Sequence, residues 1–138
     1  VRRSGAHIFA RRPRDYSYRL PRKALQMATR MALASKVEDD ELVVIDDLNF
    51  EEPRTRDMAA IVRTLGCDDD TLLVATAGYD KNVYKSARNI AGVDVSPAAD
   101  LNALALLSAR RLLITKAALD ELKVRAASKN SGTSGASE

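Results

Sequence analysis

Short apolar runs that alternate with amphipathic stretches leave this chain few folds to choose from. Leu42-Val-Val-Ile-Asp46, Leu72-Leu-Val-Ala-Thr76, Val93 to Val95 and Leu112-Leu-Ile-Thr115 are brief runs without polar alternation, the pattern of strands covered on both faces. Between them the period changes to that of a helix. Pro21 suits the first turn of a helix running to about Lys36, with Arg22, Lys23, Gln26, Thr29 and Arg30 on one side and Ala24, Leu25, Ala28, Met31 and Ala32 on the other. The second set is the expected core face. After Pro53, Thr55 can cap a helix whose Met58, Ile61, Val62 and Leu65 share a face, and Gly66 can supply a left-handed stop. Ile61→Asp is therefore expected to unfold the domain by burying an unpaired charge. Further helices are expected from near Asp80, briefly from about Leu101, and from Lys116 to about Ala127, the last capped by Thr115. Strand and helix in turn predict an α/β domain, a mostly parallel sheet of about four strands with helices on both faces. The run Leu42 to Asp46 is placed inside that sheet.

At 138 residues the chain suits one domain with a real core. Aromatics make up only 4% and Trp is missing, so that core must be built from Ala, Leu, Val and Ile. Cys67 is the single cysteine, without a partner for a disulfide or a thiolate metal site, which predicts a reducing, intracellular setting and a plain place in a loop. No apolar run approaches the ~20 residues of a membrane span, and the basic N-terminus is not followed by the apolar stretch of a signal peptide. A soluble protein with no membrane partner is expected. The chain opens on Val1 and not Met, which reads as the loss of an N-terminal portion.

The net charge of +3 conceals a split. Residues 1 to 36 carry ten cations against the single acid Asp15, a local charge of +9, while the remaining twelve cations and eighteen acids give −6. Eight of those ten cations are arginines, which favour bidentate phosphate contacts and stacking. Residues 1 to 20 have no helical or strand period, and Phe9, Tyr16 and Tyr18 are interleaved among Arg2, Arg3, Arg11, Arg12, Arg14 and Arg19. This is an extended basic arm that needs a polyanion to order it, followed by a globular domain over 21–128 and a disordered Ser/Gly tail over 129–138. RNA fits the arm through phosphate pairing and stacking of the tyrosines on unpaired bases, whereas an untargeted basic tail is the plainer alternative. Arg14→Ala or Arg19→Ala is expected to cost ~1–3 kcal/mol of RNA binding. In the helix near 80–90, Val83, Ala87 and Ile90 form a buried stripe. Opposite them lie Lys81, Lys85 and Arg88, flanked by Tyr84, Asn82 and Asn89. Spacing alone leaves this either a second RNA surface or an ordinary solvated face.

Catalytic chemistry finds little to work with. His7 is the sole histidine, and no Gly-rich phosphate cradle follows any strand, so neither a zinc site, a His-based triad nor a nucleotide cofactor is expected. A small-molecule substrate is equally unexpected. Asp46, Asp47, Thr76 and Lys116 at successive strand ends admit a phospho-receiver-like signalling module as an alternative, although no Asp stands at a central strand end to be phosphorylated; Asp94 falls inside a strand. Asp47 is better read as an acceptor for loop N–H groups. A second alternative is a protein-interaction domain whose basic arm docks on an acidic partner.

Five stretches in order carry a family resemblance. Arg12-Pro-Arg-Asp-Tyr-Ser-Tyr-Arg-Leu-Pro-Arg-Lys23 closely resembles the sequence by which the long loop of the bacterial-type L-four family of large-subunit ribosomal proteins rejoins its globular domain. Leu42 to Leu48, Glu52-Pro53 to Leu65-Gly66, Asn82-Val-Tyr-Lys-Ser-Ala-Arg-Asn89 and Leu112 to Leu119 are similar to the same family. The resemblance implies a structural protein, not an enzyme, that binds large-subunit ribosomal RNA early in assembly. Its α/β part would lie at the subunit surface beside neighbouring ribosomal proteins, and its basic loop would reach the exit tunnel, in a cytoplasmic or organellar ribosome. Some members also bind their own messenger leader. An N-terminal strand, a helix and most of the loop precede the family segment that begins here, so Val1 falls in the loop's returning limb and the tunnel-lining tip is not expected in this chain. Where the family has a glycine-rich approach ending Phe-Gly-Pro, this chain departs, reading Ser4-Gly-Ala-His-Ile-Phe-Ala-Arg11. The implied RNA-binding residues are Arg2, Arg3, Arg11, Arg12, Arg14, Tyr16, Tyr18, Arg19, Arg22, Lys23 and Arg30, with Lys81, Tyr84, Lys85, Arg88 and Asn89 on the later helix.

Overall fold

Pro21 closes an extended stretch and stands at the N-cap of the first helix, α1 (Arg22–Glu38). A computed structural model describes residues 12–127 of the chain. The other elements follow as β1 (Leu42–Ile45), α2 (Thr55–Thr64), β2 (Leu72–Thr76), α3 (Lys81–Ala87), β3 (Val93–Pro97), a 3-10 turn (Ala98–Asp100), α4 (Ala103–Ser108), β4 (Arg111–Thr115) and α5 (Lys116–Ala127). Arm residues 1–11 and the expected tail over 129–138 lie outside the described residues.

The four strands form one parallel sheet in the order β1-β4-β2-β3. Side chains alternate across it, and each half of the alternation meets its own helical layer. Leu73, Ala75, Leu112 and Ile114 face α1, the 3-10 turn, α4 and α5, whereas Leu72, Val74 and Leu113 face α2 and α3. The expected α/β fold with helices on both faces is the one observed.

Local signals explain most boundaries. Gly66, at φ +66°, ends α2 in the left-handed region where a Cβ is strained. The Asp80 carboxylate accepts the N–H groups of Asn82 (2.7 Å) and Val83 (3.3 Å), Asn102 accepts from Ala105 (2.9 Å), and the Thr115 hydroxyl accepts from Ala118 (3.3 Å). Each satisfies an N–H that a helix start leaves open. Thr55 is the exception: it is the first residue of α2 and makes no cap, and the Arg54 N–H ahead of it donates instead to the Ser86 hydroxyl at 3.0 Å.

Three further expectations are corrected. The run from Leu42 is an edge strand among the described residues, its Val44 45% exposed, because β4 occupies the place beside β2. Cys67 stands in the loop after α2, as expected, with its side chain buried in the cluster that α2 and the sheet form. Ile61 is only half-buried, and the inward positions of α2 are Met58 and Val62. Helix α1 is turned relative to the expected face: Leu25 and Met31 are exposed, while Thr29 and Leu33 are half-buried and Ala32 and Lys36 are buried.

Lys36 gives the reason for that rotation. Its ammonium pairs with Glu41 at 2.5 Å and donates to the Arg110 carbonyl at 2.9 Å, tying α1 to the starts of β1 and β4. A buried cation must face its partners, so it outweighs the weak preference of a helix apolar on several sides. Lys36→Met should lower stability by ~2 kcal/mol, below the full cost of breaking a buried pair because Glu41 keeps some water. Urea unfolding with an unchanged slope checks this; unchanged stability would mean the ammonium is solvated and not clamped.

Candidate nucleic-acid interface

Residues 12–20 form no regular element, and every one of them is exposed. A small turn gives the arm local order. The Asp15 carboxylate accepts the Ser17 N–H at 2.8 Å and the Ser17 hydroxyl at 2.9 Å, and these bonds, the backbone one foremost, hold its pKa below the usual carboxylate value. The lone acid of the arm is thus occupied by its neighbour. Beside it the Arg14 guanidinium lies 4.5 Å from the centre of the Tyr16 ring, a cation–π contact that keeps the fork flat and presented. Tyr16 and Tyr18 are 78% and 81% exposed, and Arg22, Lys23 and Arg30 continue the exposed cationic set onto α1.

On the opposite face of the sheet, α3 carries the second set. Val83, Ser86 and Ala87 are buried, and Lys81, Tyr84, Lys85, Arg88 and Asn89 are exposed. Two residues of the motif hold scaffold and not ligand: Asn82 donates its amide to the Phe50 carbonyl (2.9 Å) and the Glu51 carbonyl (3.3 Å), and the Ser86 hydroxyl donates to the Asn82 carbonyl at 2.8 Å. They pin the loop before α2 onto α3. The helix is therefore anchored on one side and presented on the other.

Among the described residues, most cations off these surfaces are taken up by carboxylates, the exposed Arg56 of α2 excepted. Arg54, Arg63, Arg110, Arg111, Lys116 and Lys123 each pair with a carboxylate. None of the candidates Arg12, Arg14, Arg19, Arg22, Lys23, Arg30, Lys81, Lys85 and Arg88 has an ion pair among the described residues. Arg2, Arg3 and Arg11 lie outside the described residues. The structure does not merge the two sets; α1 and α3 belong to different helical layers. Sequence reasoning also missed Tyr79, which is 71% exposed with its ring centre 6.1 Å from that of Tyr84. Tyr79 precedes the helix, so no helical spacing linked the two.

The carboxyl edge of the sheet is where an open parallel sheet would place a catalytic site. Its acids are engaged: Asp46 pairs with Lys116, whose pKa is raised by that hydrogen bond, and the Asp47 carboxylate accepts the Leu48 N–H at 2.9 Å, the acceptor role expected for it. Among the described residues no group of three His, Cys, Asp or Glu side chains could hold a metal ion, and no helix is long and apolar enough to cross a membrane.

Residues 1–125 match the ribosomal protein L4/L1 family, and the chain belongs to that family. Among its relatives is large ribosomal subunit protein uL4 of Rhodopirellula baltica, 51% identical over 123 residues, covering 89% of this chain and 55% of the relative. Proteins of the same name from Carboxydothermus hydrogenoformans and Moorella thermoacetica are 45% and 47% identical over 117 residues, covering 85% of this chain and 56% of each relative. The chain thus spans a little over half the length of the curated relatives it matches.

Proposed function

We propose that this chain is a non-catalytic structural component of the large ribosomal subunit that binds large-subunit ribosomal RNA and supports assembly around the exit-tunnel region. The observation that carries the reading is that nine exposed cations without ion pairs among the described residues stand with tyrosines on two sides of an α/β core, in a member of a ribosomal protein family. Unpaired arginines and lysines gain most from phosphate, because binding releases counterions and no internal pair has to be broken. The arm with α1 would take one RNA segment and α3 another, and the sheet between them fixes their separation. Neighbouring large-subunit proteins and the chain's own messenger leader would be further partners, in a cytoplasmic or organellar ribosome.

The test is sedimentation of the tagged protein in a high-salt sucrose gradient, with and without ribonuclease. Comigration with large subunits that is lost on RNA digestion is the expected result. A protein found only at the top of the gradient, in cells rich in ribosomes, would overturn the reading.

A further inference from the structure

Where β2 ends, the chain passes through Ala77 and Gly78 to an exposed aromatic, Tyr79, before Asp80 caps α3. The Tyr79 and Tyr84 rings touch at 6.1 Å between centres with 41° between their planes, too close and too tilted to admit a base between them. Tyr84, 39% exposed, braces Tyr79, which keeps 71% of its own surface open. Below them is a crevice of about 370 Å³ at the carboxyl edge of the sheet, lined in part by Asn49, Thr76, Lys81 and Thr115. Of the nearby carboxylates Asp46 pairs with Lys116, while Asp47 and Asp80 accept backbone N–H groups and keep their charge at the crevice wall; none of the three forms an ion pair with Lys81 or Lys85 among the described residues. A large flat ring held open next to two unpaired ammonium groups is the combination that binds single-stranded nucleic acid, one supplying a stacking face and the other phosphate contacts.

We propose that Tyr79, braced by Tyr84 and flanked by Lys81 and Lys85, is a stacking platform for one unpaired RNA base at the carboxyl edge of the sheet. The inference rests on the RNA-binding reading above and sharpens it: α3 meets a loop or bulge and not the side of a duplex. In a duplex the bases are stacked on each other, and their flat faces cannot reach Tyr79. Asn49 lines the crevice beneath and carries an amide for the edge of a base laid over its mouth, whereas the buried Thr76 and Thr115 hydroxyls are already bonded to the Gly78 carbonyl and the Ala118 N–H.

Affinity of the full chain would be measured against deproteinised large-subunit RNA, a short unstructured RNA and a blunt duplex of equal length, each over a range of salt. Tyr79→Ala should weaken binding to the first two roughly ten- to a hundredfold with the salt slope unchanged, and should leave the duplex unaffected. Tyr79→Phe keeps the ring and should bind like the wild type, while Lys81→Ala should reduce the slope by about 0.7. Since Tyr79 is exposed, an unchanged melt accompanies all three. If the wild type binds these RNAs and Tyr79→Ala binds them equally well, the platform is wrong and the broader RNA reading stands. If Tyr79→Ala impairs only incorporation into subunits, the ring meets a protein, which also overturns the platform. Failure of the wild type to bind any of the RNAs would remove both readings together.

Discussion

Val62→Asp is expected to abolish the cooperative unfolding transition at room temperature. Val62 is 2% exposed and belongs to the apolar cluster of Met58, Leu72, Val74, Val83 and Leu113. Burying an unpaired charge there costs upwards of ~4 kcal/mol, whichever way it is met, by protonating the group or by opening the helix to water. Domains of this size have only about 5–15 kcal/mol in total. Ile61→Asp, one residue away, is the internal control: Ile61 is half-buried, its side chain can turn outward, and the loss should be roughly 1–2 kcal/mol. Thermal melts of the two variants check the pair. A normal transition for Val62→Asp would show that α2 does not pack against the sheet by this face.

The second large effect concerns binding. Replacing Arg14, Arg19 and Arg22 together by Ala should weaken affinity for large-subunit RNA by roughly a hundredfold or more at moderate salt, and should lower the salt slope by about two units if each guanidinium meets one phosphate. Stability should not change, since all three side chains are exposed and form no ion pair. Arg14→Lys alone separates charge from shape. It keeps the cation but loses the flat guanidinium that lies against Tyr16, so affinity should fall while the slope holds. Equal affinity and equal slope for the triple variant would rule out the arm as a binding surface.

The elements themselves were readable because each is marked by local chemistry. Asp80 and Thr115 announce helix starts, Gly66 announces a stop, and the apolar runs around Leu72 and Leu112 coincide with β2 and β4. What the sequence could not disclose is arrangement among distant elements. A run such as Leu42 to Ile45 has the same composition at an edge as in the middle, and only the insertion of β4 decides which. The rotation of α1 depends on Lys36 finding Glu41 and the Arg110 carbonyl, and the latter stands 74 residues away. The candidate interface divides likewise. The basic arm stands out in the sequence by its charge density, whereas which lysines of α3 lack carboxylate partners is a property of the folded surface. Tyr79 escaped because its neighbour Tyr84 is brought close by a turn and not by a helical repeat.

The strand order carries a consequence for synthesis on the ribosome. β1 touches the rest of the sheet only through β4, the last strand made, which enters between β1 on one side and β2 with β3 on the other. Before β4 is made, β1 has no strand beside it and the ammonium of Lys36 has no Arg110 carbonyl to bind, although α1 can already pack on α4. The register of β1 against the rest of the sheet is therefore fixed only once β4 is in place.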